Sequence, residues 1–526
     1  LCLLVTCLAA AMDGSGKAAE RDFETEIAPI LVKRCLECHQ PPDVAGGLLL
    51  TTDDGLRQGG DSGAVIDQQA ASQSYLLQRI RDGDMPPPRR GQSQKLPNHE
   101  IEVLEKWIVS GAPWPRGRTL DWFERTSDVR GGRDWWSLQP VVRPEVPRLS
   151  KFSQPENPID AFILARLQKH GMSPAPLADK PTLLRRLYYD VIGLPPTHAQ
   201  IEAFVRDQSA TAWPRAVDRL LQMPQYGERW ARYWLDLARY ADTSGYERDQ
   251  EKPWAWKYRD WVVDALNNDM PYDQFIIAQL AGDEIPGRIE ATAIATGFLR
   301  LGTWNDEPND PLDYQYDRLE DVVHTTASTF LGLTLKCARC HAHKFDPIPQ
   351  EDYYRMASAF WAGPIAARDR ELLGGPSAEE VGFENVLAWT DLSAFPQPIS
   401  MLKNGEREQP LHEVVPASLS LLPELEREFE PPPADSRTSH RRLQLAHWIS
   451  DPNNPLTPRV MVNRLWQHHF GEAIVRTPNN FGFLADPPTH PELLDYLAAE
   501  FIASGGSIKR MHRLILTSAT WRQSSG

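Results

Sequence analysis

Residues 35–39 read Cys-Leu-Glu-Cys-His, and residues 337–341 read Cys-Ala-Arg-Cys-His. Both are CxxCH, the attachment pattern of c-type haem. Two thiols three residues apart reach the two vinyl groups of one porphyrin and form thioethers. The adjacent His then falls beneath the iron as its proximal ligand. The chain has six cysteines. Cys2 and Cys7 lie in the apolar N-terminal stretch, and the other four all sit inside these two motifs, so no disulfide framework competes for them. Two other readings of a CxxCH exist, a zinc site and a thioredoxin-like redox pair. They weigh more heavily on the second motif than on the first.

Working outward from Cys35, the preceding FETEIAPILVKR puts Phe23, Ile27, Ile30 and Leu31 at helical spacing, which predicts one apolar face. The following GGLLLTTDDGLRQGGDSGAVI is rich in Gly and turn residues and reads as a loop around something flat and apolar. Then come Asp84-Met85-Pro86-Pro87-Pro88 and a last helix with Ile101, Leu104, Trp107 and Ile108 on one face. Helix, CxxCH, loop, Met-Pro-Pro, helix is the order of a small class I-like cytochrome c. Met85 is expected as the sixth iron ligand opposite His39, and such ligation raises the reduction potential. The competing reading makes Met85 a core gap-filler. His99 is the runner-up ligand and is expected near the start of the last helix, exposed.

Three stretches carry a family resemblance. RCLECHQPPDVAGGLLLTTDDGLRQGGDSGAVI, with SYLLQRI, MPPP and WIVSGAPWP, resembles the planctomycete-type cytochrome c domain. ERWARYWLDLARYADTSGYERD, YRDWVVDALNNDMPYDQFIIAQLAGDEIP and RLEDVVHTTASTFLGLTLKCARCHAHKFDPIPQEDYY resemble the second, CxxCH-bearing module of the same proteins. The segment from SRTSHRRLQLAHWIS to TWRQSSG resembles their C-terminal domain, which usually runs further, so a truncated domain is expected. The resemblance implies a haem for the first domain and adds no chemistry for the other two. The expected architecture is mainly α and multidomain, with an N-terminal class I-like cytochrome c domain followed by two helical domains. The expected boundaries are 21–116 for the cytochrome domain, 117–154 for a linker and 155–366 for the helical domain with the second CxxCH. A second linker spans 367–435, and the C-terminal helical domain spans 436–526.

At the second motif Cys337 and Cys340 would hold a haem with His341 as proximal ligand. No Met-Pro-Pro follows, so the sixth ligand is open, with His324 and Met356 as candidates. An open sixth position would suit small-molecule binding or peroxidase-like chemistry. In the zinc reading, Cys337 and Cys340 are joined by His341 or His343. Haem c is thus expected once or twice per chain.

Other groups invite weaker readings. Asp236, Asp242, Glu247 and Asp249 lie among Trp230, Trp234, Tyr246, Trp254 and Trp256, and paired carboxylates beside aromatic platforms are glycosidase chemistry. Charges on a helix face above an aromatic core also explain them, and that reading is favoured. Asp306, Glu307, Asp310 and Asp313 suggest an oxygen cage for a cation or a solvated acidic loop. His468 and His469 precede Phe470-Gly471, so a metal pair competes with a helix end capped by Gly. Asn463, Arg464 and Trp466 stand on the same expected helix.

The net charge of −15 disfavours a nucleic-acid partner. The start, LCLLVTCLAAAMDGSG, has the apolar-to-small-to-polar order of an export signal, with Ala9-Ala10-Ala11 as the cleavage region. Residues 1–20 are therefore expected to be a signal remnant, with lipidation of Cys7 as an alternative. No membrane span is expected in the mature chain. The expected role is extracytoplasmic, in the periplasm or cell envelope, as an electron carrier or haem oxidoreductase with an unidentified donor and acceptor. The alternative is a polysaccharide-processing or carbohydrate-binding protein with an accessory cytochrome domain; a scaffold for other envelope proteins is a third. No Gly-rich phosphate loop, Ser nucleophile elbow or HExxH is present.

Overall fold

The computed structural model describes residues 21–41, 44–89, 91–150, 154–364 and 374–525. The expected export segment and Cys7 lie outside the described residues. The described chain is mainly α-helical, with a single two-stranded antiparallel sheet, Ser400–Leu402 paired with Pro410–Glu413 in the register Ser400↔Glu413. It divides into two compact units, Leu1–Trp136 with Phe345–Pro347, and Ser137–Lys344 with Ile348–Gly526.

In the first unit the predicted apolar face ahead of Cys35 is present, wound as a π-turn over Phe23–Ile27 and as an α-helix over Ala28–Arg34. Phe23, Ile27, Ile30 and Leu31 are all buried. The Gly-rich stretch contains a short helix, Asp53–Gln58, that its composition hides. Thr52 caps it by accepting the Gly55 N–H, Asp53 and Asp54 favour its first turn, and Gly59 at φ 75° ends it. Tyr75–Asp82 stops at left-handed Gly83, and Asn98–Val109 closes the unit. Its core joins Phe23, Leu36, Leu77, Leu104 and Trp107. Leu77 is fully buried, so truncation to Ala removes about 2–5 kcal/mol of packing. Leu120, in the stretch expected as linker, belongs to the same core.

The second unit is a stack of helices whose N- and C-terminal parts interlock. Asp160, in Pro158–Lys169, accepts the backbone N–H groups of Ala519 and Thr520 at 2.8 and 2.7 Å. Trp213 donates its indole N–H to the Leu516 carbonyl at 2.9 Å. Gln225–Leu237 and Ala255–Asn267 pack closely at Gly227, where an added Cβ would lie 2.5 Å from the Val263 carbonyl oxygen. Arg442, fully buried at the start of Arg441–Ile449, bonds Asp283, Glu284 and Asp391 at 2.7–3.0 Å. Residues of both expected linkers are packed here too. Arg459 holds Asp495 and donates to the carbonyls of Ser137 and Gln139, while Trp389, Leu419 and Leu421 are buried. Among the described residues no helix is long and apolar enough to cross a membrane.

Candidate functional site

The first CxxCH begins where the helix Ala28–Arg34 ends. Cys35 donates its N–H to Leu31, and the N–H groups of Cys38 and His39 return to the Cys35 carbonyl, both at 3.2 Å. This tight turn brings Cys35, Cys38 and His39 to one cavity of about 250 Å³. Leu48, Leu50, Val65 and Ile80 make its walls apolar. The stretch read as wrapping something flat and apolar therefore does line an apolar space. Met85 reaches the same cavity because the chain leaves Tyr75–Asp82 through left-handed Gly83, and the Met85 N–H is fixed on the Arg79 carbonyl at 3.1 Å. His99 is exposed at the start of the last helix, as its position suggested.

The imidazole of His39 is oriented by the chain itself. Its Nδ1 lies 3.1 Å from the Leu48 carbonyl oxygen. A carbonyl only accepts, so Nδ1 carries the hydrogen and Nε2 is the nitrogen left to face a metal. Burial pushes the Cys35 thiol up to about 12. A desolvated thiolate is costly there, whereas an uncharged thioether suits the position. Two thiols, an imidazole and a thioether around one apolar cavity are a donor set that fits haem c.

The second motif lies in a 3₁₀ turn, Leu335–Arg339, packed against Pro311–Thr326 and Gln350–Ser358. Cys337, Cys340 and His341 stand exposed at the surface. The His341 Nδ1 is 2.7 Å from the Ala342 carbonyl, which again leaves Nε2 free. Charges surround the turn: Arg339 pairs with Asp317 and Glu320, and Lys336 pairs with Glu320. Gly405, at φ 74°, lies so close to Cys340 that a Cβ there would sit 2.7 Å from the sulfur. Of the candidate sixth ligands, Met356 is fully buried in the core, and His324 is half-buried with Nδ1 unpartnered and its pKa lowered by burial. His343 is buried, with Nε2 3.3 Å from the Thr334 hydroxyl. Among the described residues no three His, Cys, Asp or Glu side chains are grouped to hold a metal ion, which gives the zinc reading no support.

Comparison with protein families places these features in order. Planctomycete cytochrome C matches residues 35–89, a protein of unknown function (DUF1549) matches 158–363, and a protein of unknown function (DUF1553) matches 441–526. The chain carries the planctomycete cytochrome c domain followed by these two modules. No curated protein and no solved structure matches it. The cytochrome c match includes Cys35, Cys38, His39 and Met85, and the DUF1549 match includes the second CxxCH.

The acidic–aromatic group of the DUF1549 module does not form one site. Trp230 and Trp234 are buried in the core, whereas Asp236, Asp242, Glu247 and Asp249 are exposed. Asp242 accepts the Tyr240 hydroxyl at 2.6 Å, and Asp249 holds the Gly245 N–H at 2.9 Å. Tyr246 instead lines a polar cleft of about 440 Å³ with Asp310 and Asp313. Both carboxylates pair with Arg407, and Asp306 and Glu307 pair with Arg248, so the four suggested cation ligands face arginines.

The His468-His469 pair does end a helix, Leu456–Phe470, with left-handed Gly471 as the following residue. His469 also joins a relay that the sequence did not suggest. Its Nδ1 is 2.7 Å from Asp190, and its Nε2 is 2.8 Å from Nδ1 of buried His512. Asp190 belongs to the DUF1549 module, and both histidines belong to the DUF1553 module. Their long sequence separations leave no local signal.

Proposed function

We propose that this chain is an exported c-type cytochrome that holds covalent haem at Cys35 and Cys38 and serves extracytoplasmic electron transfer. The observation that carries this reading is the single apolar cavity shared by both thiols, His39 and Met85. Bound there, haem c supplies a one-electron iron couple. The chain's part is to fix His39 through the Leu48 carbonyl and to hold Met85 through the Arg79 carbonyl. The apolar walls would limit water, and Met85 as the second iron ligand would favour the reduced state. The proposed partners are a redox donor and acceptor outside the cytoplasm. Carbohydrate processing draws little support, because the two central tryptophans are core residues and the nearby carboxylates do not converge.

The test is a pyridine haemochrome assay with intact mass on chain exported alongside a haem-attachment system. At least one haem, lost in Cys35→Ser/Cys38→Ser, is expected. A haem-free chain under those conditions, while a control cytochrome is loaded, would overturn the reading. The same assay on Cys337→Ser/Cys340→Ser counts any second haem.

A further inference from the structure

Unit two contains a cavity of about 40 Å³ beside the helices Gln225–Leu237 and Leu456–Phe470. Trp230, Trp234, Leu266, Met461, Arg464 and His468 contribute to its lining. That space exceeds the roughly 10–15 Å³ needed by one water and is too small for a large ligand. Its walls are mostly apolar, so any occupant must be held by the few polar groups on the lining residues.

Arg464 makes the cavity unusual. It is only 4% exposed. Its Nη1 donates to the Thr329 carbonyl, and its Nη2 donates to the Ser328 carbonyl at 2.8 Å and to Asn479 Oδ1 at 2.9 Å. All three acceptors are neutral. Among the described residues no carboxylate forms an ion pair with Arg464, whereas buried Arg442 has three such partners and buried Arg459 has one. Burial pulls the Arg464 pKa down to about 10, so the guanidinium remains charged at neutral pH. It is thus a buried cation without a counter-charge.

Two buried N–H groups on the lining residues also lack acceptors, Arg464 Nε and Trp230 Nε1. Both can only donate, so their missing partner must accept. His468 stacks on Tyr233 with ring centroids 3.7 Å apart, and burial lowers its pKa to about 4. It adds no second positive charge at neutral pH. The nearby Asp190 is already bonded to His469, and Arg229 donates to the Tyr233 hydroxyl at 2.6 Å.

We propose that this cavity binds a small monovalent anion of chloride size, which accepts from Arg464 and Trp230 and supplies the missing counter-charge. Trp230 lies within the DUF1549 match and Arg464 within the DUF1553 match, so the anion ties the two modules together. Water is the competing occupant: it would satisfy the donors without balancing the charge. The proposal is independent of haem.

The test measures thermal unfolding of the full chain in sodium chloride, sodium bromide and sodium gluconate at matched ionic strength. A saturable rise of the midpoint in chloride and bromide, absent in gluconate, is expected. Arg464→Met should abolish that halide response, and Trp230→Phe should raise the half-saturating chloride concentration about tenfold. Equal midpoints in all three salts, or an unchanged halide response in Arg464→Met, would overturn the proposal and assign the cavity to water. Should Arg464→Met fail to fold, a crystal of the unaltered chain grown in bromide decides: an anomalous peak between Arg464 and Trp230 supports the site, and none at saturating bromide overturns it.

Discussion

The Nδ1 of His39 lies 3.1 Å from the carbonyl oxygen of Leu48. That contact makes the loop after the CxxCH part of the proposed haem site, because it places the hydrogen on Nδ1 and aims Nε2 away from Leu48. Met85 is held separately, through its N–H on Arg79. The two proposed axial ligands therefore rest on different backbone supports, and replacing Met85 should leave the attachment side intact. Met85→Leu is expected to retain covalent haem by mass and to lower the reduction potential. The drop should be on the order of 0.1 V, within the ~0.8 V that axial ligation spans. Potentiometric titration checks this; an unchanged potential would mean that Met85 is not a ligand.

Arg442 bonds three carboxylates in a fully buried position, reaching Asp283 and Glu284 ahead of the second CxxCH and Asp391 beyond it. Removing one partner of a buried ion pair typically costs about 3–5 kcal/mol, because the others are left uncompensated. Arg442→Met should lower unfolding stability by about that amount, read by chemical denaturation. A change below roughly 1 kcal/mol would show that the carboxylates find protons or other partners at little cost.

The helices Ala28–Arg34 and Asn98–Val109 were legible because apolar spacing is a local signal. The residues of the proposed haem site were legible as motifs for the same reason: CxxCH and Met-Pro-Pro are contiguous, and the structure brings Cys35, Cys38, His39 and Met85 to one cavity. The support of His39 was not, since Leu48 acts through a backbone carbonyl that any residue possesses. The helix Asp53–Gln58 had its Thr-Asp-Asp start and Gly stop in view, but the glycine-rich surroundings outweighed them. Least legible was the unity of the second compact unit. Composition marks residues 367–435 as linker, whereas Trp389, Leu419 and Leu421 are buried, and Asp160 meets Ala519 and Thr520 across almost the whole unit. Contacts at such separation depend on the folded topology and have no sequence period.

Asp352 is fully buried and accepts the Ser420 N–H and hydroxyl. Burial raises its pKa from 3.8 to about 7. Folding then takes up a proton at this carboxyl between those values. Its contribution is fully present below the unfolded pKa and is lost as pH rises through about 7. The ceiling is about 1.4 kcal/mol per pH unit, or roughly 4 kcal/mol across the window. Asp352→Asn cannot titrate, so its stability relative to the unaltered chain should improve steadily from pH 4 to 7 and then level. Denaturation at a series of pH values checks this, and parallel profiles would show that the folded carboxyl stays ionised.

His512 should behave in the opposite sense. It is 1% exposed, and burial, followed by the neighbouring His469 and His468, holds its pKa well below 6.5. The unfolded chain binds a proton at this imidazole below pH 6.5 and the folded chain does not. Its contribution is present above that pH and lost as pH falls, by at most about 1.4 kcal/mol per unit. At pH 7.5 His512→Phe should be the less stable protein by roughly 1–3 kcal/mol, because His469 Nε2 loses its buried partner. On acidification that deficit should shrink and then reverse, since Phe carries no site for the unfolded chain to protonate. Denaturation midpoints of the two proteins from pH 7.5 to 4.5 would show the crossing. A deficit that does not vary with pH would mean that His512 is protonated to the same extent folded and unfolded, and that the Asp190–His469–His512 relay carries an additional proton in the native chain.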